Sequence, residues 1–309
     1  MGRWCTIAPL LSTELGHGIR LPIDLSNEVQ LIEIPNWLMQ ESITKWLGPR
    51  EKDQLKFDSR YALYTEYEAE SLGDPMSGLP YSTTKQAYAL EKITLTNLAF
   101  WLICPSALQF NLAISADKHS DSGKWFLRQC SEEKRFQVTY FEENKQIEKS
   151  FLAEVTRVSE KLITMIRKGA FWISTRSLIQ GLKSDYWELR ILLSWIALEA
   201  LFGSSDARET THRLAHRAAS FLCNPGTQTY EAFRLIKQDY GLRSSIVHGM
   251  LVYKKRDPSL EQINDYIHWA DCWIRMAFIK ILSSSDLIDT FNGKGREEYL
   301  DHIVFGIQG

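Results

Sequence analysis

Residues 186–203 read YWELRILLSWIALEALFG. At 3.6 residues per turn, Leu, Ile, Trp, Ala and Phe fall on nearly every side of this segment, and a helix that is apolar all round buries itself among other helices. Gly203 supplies the stop. The stretch therefore predicts a helix inside a bundle.

The flanking segments supply partners for it. Residues 207–223 form a further helical pattern broken by Asn224-Pro225-Gly226, and another pattern runs from about Gln228 to His248. Asp257 as N-cap with Pro258 at the first position announces the last long helix, which turns Ile263, Ile267, Ala270, Trp273, Ile274 and Ala277 inward. Upstream, Phe151, Leu152, Val155, Val158, Leu162, Met165 and Ile166 make one apolar stripe, with Gly169 as its C-cap. Residues 150–285 thus predict an up-and-down bundle with short connections, in an all-α domain spanning 151–309.

Residues 1–150 have a different texture. Asn36 to Leu47 reads as a helix with Asn36 as N-cap and Gly48-Pro49 beyond its end, and 82–103 as a long helix. Residues 60–68 (RYALYTEYE) and 135–141 (RFQVTYF) alternate like strands, the second within a hairpin over 135–149. Loops rich in Gly, Pro and Ser fall at 71–83 and 115–124. The expectation is an α+β chain, with an N-terminal mixed domain over 1–150 that senses a signal or selects a substrate, followed by the bundle. No internal repeat or low-complexity tract interrupts it.

The formal charge of −2 conceals an asymmetry. Residues 1–160 carry 17 Lys+Arg against 22 Asp+Glu, leaving 19 against 16 for the remainder. Within 205–256 nine basic residues, Arg213, Arg217, Lys254 and Lys255 among them, face four acidic ones. Any single Lys or Arg there is most simply a solvated side chain, but the local excess favours a polyanion. Five widely spaced cysteines, an odd number, point to reduced thiols. No run reaches the ~18 apolar residues of a membrane span and no signal-peptide pattern opens the chain, so a cytoplasmic protein without membrane contact is expected.

Chemistry concentrates at RSSIVHG, residues 243–249. Breaking an RNA phosphodiester by its own 2′-hydroxyl needs a base, an acid for the leaving 5′-oxygen and a cation for the phosphorane. His248 can act as either proton carrier near neutral pH. Arg243 offers a permanent fork of donors for phosphate oxygens. Five helical positions amount to about 140° of rotation, so one regular helix does not aim both at one phosphate. Either Gly249 lets the helix fray, or a two-fold partner supplies its Arg across a shared cleft, the arrangement favoured here. Ser244 and Tyr240 lie four and eight residues before His248, on its face, where Ser244 could orient the imidazole. The plain alternative is a helix end at which His248 meets terminal carbonyls and Arg243 pairs with Asp239.

Three segments carry a family resemblance: SWIALEALFG at 194–203, THRLAHRAASFL at 211–222, and FRLIKQDYGLRSSIVHG at 233–249. They resemble the HEPN superfamily, in its Apea-like branch associated with prokaryotic defence. The likeness covers roughly residues 185–285 and rests on Leu198-Glu199, Arg217-Ala218-Ala219 and Tyr240…Arg243-Ser244…Val247-His248-Gly249. It implies a helical bundle that dimerises so that two Arg/His pairs face one cleft, commonly a metal-independent endoribonuclease. Arg243, His248 and Ser244 are then the expected catalytic residues, RNA and a second copy of the chain the expected partners, and a protein or phage component the expected trigger. Members without nuclease activity exist, so a non-catalytic module that binds RNA or a nucleotide, or only dimerises, is the alternative.

Other polar residues weigh less. Glu199, in the most apolar helix, is expected in a buried salt bridge to Arg213 or Arg217. His216 and Arg217 are expected to be structural or to face RNA. Glu209, His212 and His216 have metal-ligand spacing, but Arg213 stands where the zinc-protease motif needs Glu. No metal or cofactor is therefore expected. Most tryptophans fall on apolar stripes and read as core rather than as base-stacking platforms.

Overall fold

A computed structural model describes residues 2–69, 84–105, 108–118, 122–137, 146–165, 167–204, 210–224, 226–247 and 259–307. The chain is mixed α+β and divides into two units, Met1–Arg135 with Phe141–Thr164, and Phe136–Tyr140 with Met165–Gly309.

The first unit is built on strands β1 (Gly2–Pro9), β2 (Glu14–Leu15), β3 (Ile23–Asp24) and β4 (Gln30–Glu33), helices α1 (Glu41–Thr44) and α2 (Pro49–Asp53), β5 (Tyr61–Ala69), α3 (Thr84–Ile103), β6 (Leu112–Lys118), β7 (Trp125–Glu132), β8 (Gln146–Ile147) and α4 (Lys149–Thr164). Six strands form one antiparallel sheet in the order β3-β4-β5-β1-β6-β7. On one face Cys5, Ile7, Ala62 and Ile114 pack with Leu38, Ile43 and Leu47. On the other, Thr6 and Ser115 stand opposite each other and join their hydroxyls at 2.9 Å. Helix α3 packs on β1 and β5, and α4 packs on α3, where Thr96 and Ser159 share a buried hydrogen bond of 2.8 Å. This is why α4 belongs to the first unit, and the division falls near residue 165 rather than at 150.

Several local expectations change. Gln40 is extended, so the segment after Asn36 splits into a 3-10 turn, Asn36–Met39, and the short α1, with Pro35 at the cap position. Residues 135–137 are not strand, 138–145 lie outside the described residues, and β8 pairs in parallel with β2, so no 135–149 hairpin is formed by the described part. The Ser-containing stretch from 115 opens as the buried second half of β6, not as loop. The expected loop at 71–83 lies outside the described residues.

The second unit contains α5 (Gly169–Leu182), α6 (Trp187–Phe202), α7 (Thr210–Leu222), α8 (Thr227–Val247), α9 (Leu260–Ile281), α10 (Ser285–Asn292) and α11 (Arg296–Val304). Helix α6 touches α5, α7, α8 and α9, as its all-round apolar surface requires. Phe202, Phe221 and Phe291 meet within 6.0 Å of one another at one end of this core. Gly169 does not cap α4 but opens α5: its φ of +86° suits glycine, and a Cβ there would stand 2.8 Å from the Asn292 carbonyl oxygen. Ser259 caps α9 through a capping box with Gln262, and Asp257 and Pro258 lie outside the described residues. Among the described residues no helix is long and apolar enough to cross a membrane.

Candidate functional site

Helix α8 turns Ala232, Ile236 and Tyr240 inward at helical spacing, which seats the Tyr240 ring edge-on against Trp195 of α6 at 5.3 Å. Glu199 lies four residues beyond Trp195 on the same stripe of α6. The Tyr240 hydroxyl donates to Glu199 Oε1 at 2.6 Å, and Arg243 Nη2 approaches the same carboxylate at 3.1 Å. The guanidinium carbon sits 5.4 Å from the Tyr240 ring centre. One carboxylate thus gathers a phenol and a guanidinium from a helix 41 to 44 residues away.

The cluster is half-buried, with Arg243 and Glu199 side chains 24% and 23% exposed. Burial, and then the hydrogen bond to Glu199, push the Tyr240 hydroxyl up to about 12, so it stays protonated and remains a donor. Arg243 Nε is out of water and makes no hydrogen bond among the described residues. Glu199 also borders a groove of about 740 Å³ that includes Ile173, Ile196, Ala200 and Arg296. The outward side of α6 here is apolar, with Leu189 and Ile196, one heptad apart, both exposed.

The expected partners of Glu199 are corrected by this geometry. Arg217, 2% exposed, instead donates to Asp301 at 2.9 Å and to the Gly203 carbonyl at 3.2 Å. Arg296 reaches the same carbonyl at 3.3 Å and also the Ala200 carbonyl. Two guanidiniums therefore cap the negative end of α6 and satisfy its orphan carbonyls. Burial, with Arg217 nearby, lowers the Arg296 pKa. Arg217 is thus placed as a structural cap, its guanidinium committed to Asp301 and the Gly203 carbonyl. Arg213 is exposed and donates to Ser204 at 3.1 Å. His216 is half-buried against Phe233 and His212, in a separate cavity.

Ser244 is half-buried one residue beyond Arg243. The described part of α8 runs to Val247, and His248, Lys254 and Lys255 lie outside the described residues, as does Glu209. Asp239 is not the partner of Arg243: it is buried against α9, where Trp273 Nε1 donates to it at 3.5 Å. Burial raises its pKa to about 6 against that hydrogen bond. Sequence spacing missed the α11 residues Arg296, Glu297 and Asp301, because nothing local links them to α6 or α7. Among the described residues no group of three His, Cys, Asp or Glu side chains is placed to hold a metal ion. Comparison with known proteins finds no matching family model, curated protein or solved structure.

Proposed function

We propose that the chain is a metal-independent endoribonuclease of the Apea-like HEPN type, working as a homodimer in prokaryotic defence. The observation that carries the reading is the Glu199–Tyr240–Arg243 cluster at the end of α8, immediately before the segment that supplies His248. A carboxylate that holds a guanidinium in one rotamer prepares it for a phosphate without a search among orientations. Arg243 keeps its Nη1 donors and its charge, although a phosphate must share it with Glu199. In the proposed mechanism His248 moves the proton of the 2′-hydroxyl or the 5′-oxygen, Arg243 stabilises the phosphorane, and Ser244 steadies the imidazole. The apolar outward stripe Leu189–Ile196, which runs toward Glu199, supports a second copy as partner. Lys254 and Lys255 would extend the basic surface along the RNA backbone.

A non-catalytic module that binds RNA or a nucleotide, or serves dimerisation alone, is the second reading. It is favoured by the carboxylate already seated on Arg243, which neutralises much of the charge that a phosphate would seek. Incubation of purified protein with cellular RNA in EDTA separates the two. The proposal expects wild type to cut and His248→Ala to leave RNA intact. The second reading expects intact RNA with both proteins, and salt-dependent binding that Arg243→Ala weakens.

A further inference from the structure

We infer that the second unit holds another site, between α7, the first turns of α8, the end of α9 and α11, for a small planar aromatic ring bearing one anionic group. This inference does not rest on RNA cleavage. The cavity measures about 630 Å³, a size at which pockets engulf whole small ligands. Three of its walls are rings: His212, His216 and Phe233 meet edge to face with centres 5.0 to 6.1 Å apart. Tyr230 stands at the mouth with 63% of its surface in water, one turn before Phe233 on the same side of α8. A flat ring that enters covers this aromatic surface at little entropic cost, because the walls are already ordered against one another.

Polar chemistry in the cavity selects the rest of the ligand. Neither histidine makes a hydrogen bond among the described residues, so their ring nitrogens are available as donor or acceptor to the edge of a heteroaromatic ring. Lys280 reaches in from α9, held over the Phe221 ring at 4.8 Å and donating to the Phe221 carbonyl. That anchoring leaves further ammonium donors free. No Asp or Glu belongs to the described lining, so the lysine charge has no counter-ion in the cavity. Lys280 is itself exposed, so water serves its charge; a ring bearing a negative group would meet that charge directly, and a bare phosphate would leave the aromatic walls in water.

Calorimetric titration of the full chain with two pairs of probes tests this: nicotinate against nicotinamide, and adenosine monophosphate against adenosine. The site predicts that the anionic member of at least one pair binds at least about tenfold more tightly than its neutral counterpart. Lys280→Gln should erase that preference, and Phe233→Leu should weaken both members of the pair. Preference confined to the nucleotide pair identifies a nucleotide-like ligand, and preference confined to nicotinate identifies an aromatic carboxylate. His216→Asn, a milder change should Lys280→Gln fail to fold, is expected to reduce affinity with an unchanged melting temperature. Equal binding within both pairs, no binding of any probe at millimolar concentration, or a preference that survives Lys280→Gln would overturn the inference. So would loss of binding in His248→Ala, which would move the ligand to the far end of α8.

Discussion

The Glu199 carboxylate lies 3.1 Å from the Arg243 guanidinium, joining the middle of the second unit to the end of α8 across 44 residues of chain. Because both groups are under a quarter exposed, neither is fully served by water, and each depends on the other. The Tyr240 hydroxyl completes the set, so the three residues behave as one unit.

That interdependence predicts a non-additive mutant cycle. Glu199→Gln leaves a half-buried guanidinium without its counter-charge and should cost about 1–3 kcal/mol. Tyr240→Phe should cost about 1 kcal/mol. Urea unfolding of both single variants and the double should show the double costing less than the sum, since each removes part of the same network.

Arg213 and Arg217 sit on one helix yet should respond differently. Arg217→Met keeps apolar bulk but leaves the Gly203 carbonyl short of a donor and Asp301 without its partner, for a loss of about 3 kcal/mol. Arg213→Gln, at an exposed position, should stay within about 0.5 kcal/mol. Chemical denaturation of the pair checks this, and equal losses would refute the capping role of Arg217.

Asp239 predicts an unusual pH dependence. Its folded pKa, about 6, lies above the ordinary 3.8, so the folded state holds this proton more tightly than the unfolded state. Its contribution is therefore largest below the ordinary pKa and is lost as pH rises toward and through about 6. The loss is bounded by about 3 kcal/mol for a shift of this size. Asp239→Asn still accepts from Trp273 and carries no charge. It should flatten the stability profile between pH 4 and 7 and raise the melting temperature near neutrality.

The long helices were readable because burial imposes a period. The all-round apolar α6 and the stripes of α3 and α9 appear where the spacing of Leu, Ile and Trp puts them. Strand β1 was not readable, because Trp4 to Pro9 are covered on both faces and show no alternation. Strand β6 hid for a related reason: Ser115 and Asp117 are buried polar residues, matched by Thr6 and by the Arg128 fork across the sheet. At the site, Glu199, Tyr240 and Arg243 stood out from the sequence, but their pairing did not. Spacing within one helix pointed Arg243 at Asp239, whereas helix packing gave it Glu199 and turned Asp239 toward Trp273.

The nature of the cut ends tests the central claim most directly. RNA treated with the purified chain in EDTA should carry 2′,3′-cyclic phosphates, or their opened forms, and 5′-hydroxyls, and both Arg243→Ala and His248→Ala should abolish these ends. Cleavage that leaves 3′-hydroxyls with 5′-phosphates, or that continues unchanged in His248→Ala, would contradict the account.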